Sequence, residues 1–192
     1  GGTGGCTGGT GGTGGTGGTG GTGGTGGTGG TGGTGGWTMV EGHMCTVVDP
    51  NGTGNEPSGI IPVCCPINLQ ERAEADELFA LVNDYRSSNG VDELAYDAGH
   101  EAMAQGHLIH MDLHPFTGFV APEASVASSS ARAALCGVTY SGGVMAYNYA
   151  SAAAAMSYFT SNPGTNEHLL RSSHKRVGVG HYKNSWGLSF GP

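Results

Sequence analysis

The chain has 192 residues, 40 of them glycine and most of those within the first 36, which leaves roughly 120–155 residues to bury a core, enough for one domain. Its net charge is −8, and residues 1–70 hold no Lys or Arg, which excludes the basic footprint of a nucleic-acid binder. No apolar run nears the ~20 residues that span a bilayer, so no transmembrane segment is expected; no signal peptide is visible, and a chain beginning at Gly1 reads as already processed.

Gly1–Gly36 contains only glycine, threonine and Cys6, and from Thr7 onward it repeats Gly-Gly-Thr without a break. A period of three suits neither an α-helix nor a β-strand, but it matches an extended polyproline-II-like helix with three residues per turn. Threonine then forms one ridge, and two glycine edges let another chain approach. Ordering the backbone costs about 1–2 kcal/mol per residue with no side-chain burial in return, so a lone copy cannot hold itself in order. Only lateral packing against other copies compensates, which makes the tract an assembly element or, failing that, a stalk. The tract matches GxGxxG repeatedly, but with no strand before it and no helix after it a dinucleotide site is excluded. Thr10, Thr13, Thr16, Thr19, Thr22, Thr25, Thr28, Thr31 and Thr34 are candidate glycosylation sites. With no proline, a collagen-type triple helix requires such sugars.

The five cysteines show no zinc-site spacing and read as disulfides in an oxidising compartment. Five is odd, and Cys6, alone in the repeat, is the candidate for an intermolecular bridge; lipidation of Cys6 is disfavoured because Thr3-Gly4-Gly5 lacks apolar residues. Residues 37–68 read as a Cys/Pro/Gly-rich connector with a turn at Asp49-Pro50-Asn51-Gly52, a glycosylation sequon at Asn51-Gly52-Thr53 and a short strand at Gly59–Val63. Cys64 and Cys65, being adjacent, are expected to bond to two different partners, with Cys45 and Cys136 the candidates and the pairing open.

Residues 69–192 read as one further domain. Ala75, Leu78, Phe79 and Val82 recur at helical spacing, which predicts a helix over Gln70–Arg86. A second helix is expected from Tyr96 or Asp97 to about His114, a third over Ala124–Ala134, and a fourth over Ser151–Thr160 stopped by Asn162-Pro163-Gly164. Val177–Tyr182 and Ser185–Phe190 read as two strands joined at Lys183-Asn184.

These pieces resemble a known family. The run Glu77-Leu78-Phe79-Ala80-Leu81-Val82-Asn83-Asp84-Tyr85-Arg86 is followed by Leu94-Ala95-Tyr96-Asp97 and Ala104-Gln105-Gly106-His107. Ser161-Asn162-Pro163-Gly164 with Leu169-Leu170, then Arg176-Val177-Gly178-Val179-Gly180, then Trp186 and Phe190-Gly191, complete the pattern. In order and spacing they resemble the CAP superfamily (cysteine-rich secretory, antigen 5 and pathogenesis-related proteins, or SCP-like domains) over about Leu69–Gly191. The resemblance implies an α+β fold, a three-layer α/β/α sandwich, together with secretion and a shallow cleft lined by two histidines and acids.

The cleft positions depart from the family pattern. Phe119 stands where the first histidine belongs, Tyr147 replaces the acid in Ala146-Tyr147-Asn148, and Thr165 replaces the second histidine in Asn162-Pro163-Gly164-Thr165. Zinc needs about three to four ligands, so this cleft holds none, and His168, three residues beyond Thr165, is insufficient alone. His100, His107, His110 and His114 share one stripe of the second helix; His107, His110 and His114 are the metal candidates there, against a reading as hydrogen-bonded surface histidines. His100-Glu101-Ala102-Met103-Ala104 misses the zincin motif because Ala104 replaces its second histidine, and Glu123, after Pro122, either faces the cleft or, as a lone carboxylate without a partner, reads as a surface acid. Arg132 and Arg171 read as salt-bridge or helix-terminal residues.

The resulting expectation is a non-enzymatic extracellular structural protein with no cofactor, a subunit of a filament or surface matrix that assembles with itself through the repeat. The alternative is a surface-tethered CAP-like module binding lipid, sterol or glycan, with the repeat as a flexible stalk.

Overall fold

A computed structural model describes residues 36–48 and 59–192. The expectations placed on the Gly-Gly-Thr repeat, on Cys6, on Thr10 to Thr34 and on the turn and sequon at 49–53 lie outside the described residues.

Residues 37–64 form a three-stranded antiparallel sheet in the order β1 (Trp37–Val40), β2 (His43–Val48), β3 (Ile61–Cys64). The connector reading therefore missed two strands. Alternation is legible in β2 only once burial is known: His43, Cys45 and Val47 are buried and Met44 faces out. A histidine and a cysteine on the inner face hid the period of two.

Helix α1 (Leu69–Ser88) opens on Asn68, whose side chain accepts hydrogen bonds from the Gln70 and Glu71 amides. It buries Ala75, Leu78 and Val82, with Phe79 packed at the margin of the core. A short β4 (Ala95–Tyr96) leads into α2 (Ala98–Leu113), which Asp97 caps through the Gly99 and His100 amides. The third predicted helix divides into a 3-10 turn over Ala124–Val126 and α3 (Ser129–Leu135). Ser128 is the reason, because its hydroxyl accepts from the Ala131 amide and starts a new helix there. After β5 (Gly142–Tyr147), which its two glycines concealed from the sequence reading, come α4 (Ala152–Ser161) and α5 (Pro163–Leu169). Asn162-Pro163-Gly164 ends α4 as expected but also begins α5, with Asn162 accepting from the Gly164 and Thr165 amides and Pro163 in the first turn. Strands β6 (Arg176–Tyr182) and β7 (Ser185–Gly191) close the chain.

The central sheet has the order β4-β6-β7-β5. Helices α1, α4 and α5 cover one face, and α2 with α3 lies on the other, which gives the three-layer α/β/α sandwich. The main core holds Leu78, Val82, Phe159, Leu169, Val177, Trp186 and Phe190, all fully buried. Each such side chain contributes about 1.5–3 kcal/mol by leaving water.

Helix α2 lies between both sheets, and glycine lets it sit close to each. A Cβ on Gly178 of β6 would collide with the backbone of His100 and Glu101, and one on Gly106 of α2 would collide with the Val63 carbonyl. Two disulfides fasten the outer sheet: Cys45 of β2 to Cys65 just past β3, and Cys64 of β3 to Cys136 at the end of α3. Among the described residues, no helix is long and apolar enough to cross a membrane.

Candidate functional site

The three positions where a polar cleft was expected are chemically closed. Phe119 carries no polar side-chain atom and lines a cavity of about 20 Å³ together with His107, Arg132, Tyr140 and Met145. That is room for about one water. The Tyr147 hydroxyl points at the sulfurs of Met145 (3.4 Å) and Met111 (3.6 Å). The Thr165 hydroxyl donates to the Phe159 carbonyl at 2.7 Å and so serves the junction of α4 and α5. His168 does not join His107; it stands parallel to His174, with ring centroids 6.0 Å apart.

The histidine stripe of α2 divides. His100 is buried, with Nδ1 2.8 Å from Ser189 Oγ. His107 donates from Nε2 to the Gly118 carbonyl at 2.8 Å, and burial, with the Arg132 charge adding to it, pushes its pKa down to about 3. His107 is thus a neutral anchor for the following loop and not a partner of His110.

His110 and His114, one turn apart at the end of α2, converge instead on Glu123. One donor atom from each of the three lies within 4.8 Å of the others. Nε2 of His110 is 3.1 Å from one Glu123 oxygen, and Nδ1 of His114 is 3.7 Å from the other. The His110 side chain is 0% exposed, against 19% for His114 and 18% for Glu123. Burial lowers the His110 pKa to about 4 despite the nearby carboxylate. The cluster is close but unsaturated, since both ring nitrogens of His110, Nε2 of His114 and Oε2 of Glu123 are buried without an aligned hydrogen bond.

Glu123 therefore corrects the reading as a surface acid. The chain returns it to α2 through a loop that Arg132 holds from inside. The Arg132 guanidinium donates to the Phe119 carbonyl at 2.9 Å and to that of Val126 at 2.7 Å, so its charge is satisfied by backbone carbonyls. Burial lowers the Arg132 pKa to about 10, which still leaves it charged. No linear spacing announces such a return. Arg171 does pair as expected, with Glu167 at 2.6 Å.

A second histidine network lies where α2 meets the outer sheet. His43 Nε2 donates to Glu71 Oε2 at 2.7 Å and Nδ1 donates to the Glu41 carbonyl at 2.9 Å. Gln105 donates to the same Glu71 oxygen at 3.0 Å and accepts from the His181 amide at 2.7 Å. Beside it, Glu101 receives both terminal nitrogens of Arg72, at 2.6 and 3.0 Å, and the Ile67 amide at 3.3 Å. Sequence reasoning missed this network, whose members are far apart in the chain.

The family model for the cysteine-rich secretory protein family (CAP) matches residues 79–190. No curated protein matches the chain. An extracellular protein containing an SCP domain from Bacillus anthracis is similar in structure, with TM-score 0.59 and 20% identity over 65% of this chain and 44% of that one. An outer surface protein from Borrelia burgdorferi gives TM-score 0.58 and 12% identity over 66% of this chain and 97% of that one. A cysteine-rich secretory protein from Staphylococcus aureus gives TM-score 0.51 and 17% identity over 66% of this chain and 40% of that one. The match thus spans less than half of the Bacillus and Staphylococcus chains. At these identities the likeness speaks to fold alone.

Proposed function

The chain belongs to the cysteine-rich secretory protein (CAP) family, and from that premise we propose that it is a non-enzymatic extracellular protein, a subunit of a filament or surface matrix. In this reading the Gly-Gly-Thr tract packs against its copies, Cys6 locks neighbours together, and the CAP domain decorates the assembly. The observation that carries it is the closed cleft: Phe119, Tyr147 and Thr165 offer no free acid, base or ligand where the family pattern has them, and the adjoining cavity holds about one water. Two disulfides in the described residues support an oxidising compartment. The surface and extracellular descriptions of the Borrelia and Bacillus proteins accord with that location.

Electron microscopy of the native material, with light scattering of the purified full chain, tests the reading. Ordered filaments or large oligomers, released as smaller species by reductant if Cys6 bridges copies, are the expected result. Monodisperse monomers under oxidising conditions would rule it out.

One observation favours a second reading, a tethered binding module. Trp37, Met39 and Met44 share the outer face of the β1–β2 pair and are 59%, 62% and 47% exposed. Such an apolar patch suits lipid, sterol or glycan contact, with the repeat as a stalk. Monomers that bind vesicles or glycans, and lose binding in Trp37→Ala, would select it over assembly.

A further inference from the structure

We propose that His110, His114 and Glu123 bind one divalent transition-metal ion, zinc by its ligand preference, and that the ion ties the end of α2 to the loop that follows it. Two imidazoles and a carboxylate are a donor set that zinc accepts, with a water completing four-coordination. The spacing suits the ion. Bonds of about 2.0–2.2 Å in a tetrahedron put neighbouring donor atoms about 3.3 Å apart. His110 and His114 approach the two oxygens of Glu123 at 3.1 and 3.7 Å, and one donor atom from each of the three lies within 4.8 Å of the others, a separation that side-chain rotation closes to that value.

The hydrogen bonding points the same way. A histidine–carboxylate pair that served only as an ion pair would align its N–H with the oxygen. Here the nearest atoms of His110 and Glu123 are buried and close but not aligned, and the second nitrogen of His110 has no partner either. His110 Nε2 and Glu123 Oε2 thus lie 3.1 Å apart with no hydrogen bond between them, the condition a cation set against both relieves.

The frame is set before any ion arrives. Phe116 packs edge-on against the His110 ring with centroids 4.8 Å apart, and the His114 ring packs against the same His110 ring at 4.9 Å. Arg132 fixes the returning loop through the Phe119 and Val126 carbonyls, and the Cys64–Cys136 bridge holds the far end of α3. Partial exposure of His114 and Glu123 leaves a route for the ion and a place for its water. None of the three ligands is a cleft position, so Phe119, Tyr147 and Thr165 have no part in it. With its ligands drawn from the end of α2 and the loop that returns to it, the ion acts as a structural pin.

The test uses the full chain stripped with a chelator and titrated with zinc by calorimetry, with metal content read by mass spectrometry. One ion per chain is expected, together with an unfolding midpoint that rises with free zinc. Glu123→Gln, nearly isosteric, and His114→Ala, at a partly exposed position, each lose at least tenfold in affinity. Cobalt in place of zinc shows the visible bands of a tetrahedral nitrogen–oxygen site without thiolate charge transfer. The proposal fails if no ion binds at one equivalent, if both variants keep wild-type affinity, or if a thiolate band assigns the ion to Cys6.

Discussion

In its middle, α2 presents Gln105 to His43 and Glu71; about a turn and a half further on, it presents His110 and His114 to Glu123. Both places pair histidine with a carboxylate brought from another segment. At the first, hydrogen bonds join His43, Glu71 and the Gln105 amide across the outer sheet, α1 and α2 and reach the His181 amide of β6, and the one orphaned atom beside them among the described residues is His181 Nδ1, 3.2 Å from Glu74. At the second, four buried atoms have none. A saturated network is complete as protein and acts as a clamp. An unsaturated one of similar composition is complete only with something added. The comparison teaches that residue type alone does not separate structure from site; single orphans such as His107 Nδ1 and His174 Nε2 occur elsewhere, and it is the gathering of unsatisfied donor atoms from three residues at one place that sets the second apart.

The largest effect should come from breaking the clamp. Gln105→Leu removes the acceptor of the buried His181 amide and a donor to Glu71 in one step. At about 1–3 kcal/mol for each buried group left unsatisfied, the variant should lose about 2–4 kcal/mol, read by denaturant unfolding of the oxidised chain. A loss below about 1 kcal/mol would mean that water replaces the amide and that the clamp is not closed.

Only some of this was legible in the sequence. The apolar spacing of Ala75, Leu78 and Val82, and the double burial of β6 and β7, announce themselves because one face or both are apolar. The family resemblance was also readable, because it rests on residue identity at known offsets. Strands β1 and β2 were not, because buried His43 and Cys45 break the apolar alternation. Glu123 was not, because its meeting with His110 depends on a loop shaped by Arg132, whose guanidinium binds carbonyls that any sequence would supply. The stripe His107, His110, His114 was visible. Which of its members turn toward a ligand was not, since one carbonyl, that of Gly118, removes His107 from the set.

The next effect is on pH dependence. Burial pulls the His43 pKa down, but the hydrogen bond and charge of Glu71, with the Glu41 and Val40 carbonyls, outweigh it and raise the pKa above 6.5. His43 therefore stabilises the fold fully below about pH 6.5, and that contribution is lost as pH rises through its folded value. His174 has the opposite sign. Burial, with the Arg171 charge adding to it, lowers its pKa to about 4, so stability falls as pH drops from about 6.5 toward 4. Each group contributes a slope of up to about 1.4 kcal/mol per pH unit. Measured against pH without metal, Glu71→Gln should flatten the alkaline limb and leave in place the acid limb, which His174 shares with the buried His107 and His110. Equal flattening of both limbs would show that His43 is not the group that titrates on the alkaline side.

The smallest effect is the sharpest, because its sign reverses. Without metal, Glu123 makes no aligned hydrogen bond to lose, and Glu123→Gln places an amide that can donate to a buried imidazole nitrogen with no partner. The metal-free variant should then match the wild type within about 0.5 kcal/mol, or exceed it slightly, in a denaturant titration. With zinc present the order reverses, since the amide oxygen is a poorer ligand than a carboxylate and the variant gains less from the ion. The Gln105 and Glu71 variants should keep their deficits in both conditions, as a protein-only clamp requires. A Glu123→Gln deficit of the same size with and without zinc would make the two networks alike, and His110 with His114 would then be a second clamp with poorer geometry.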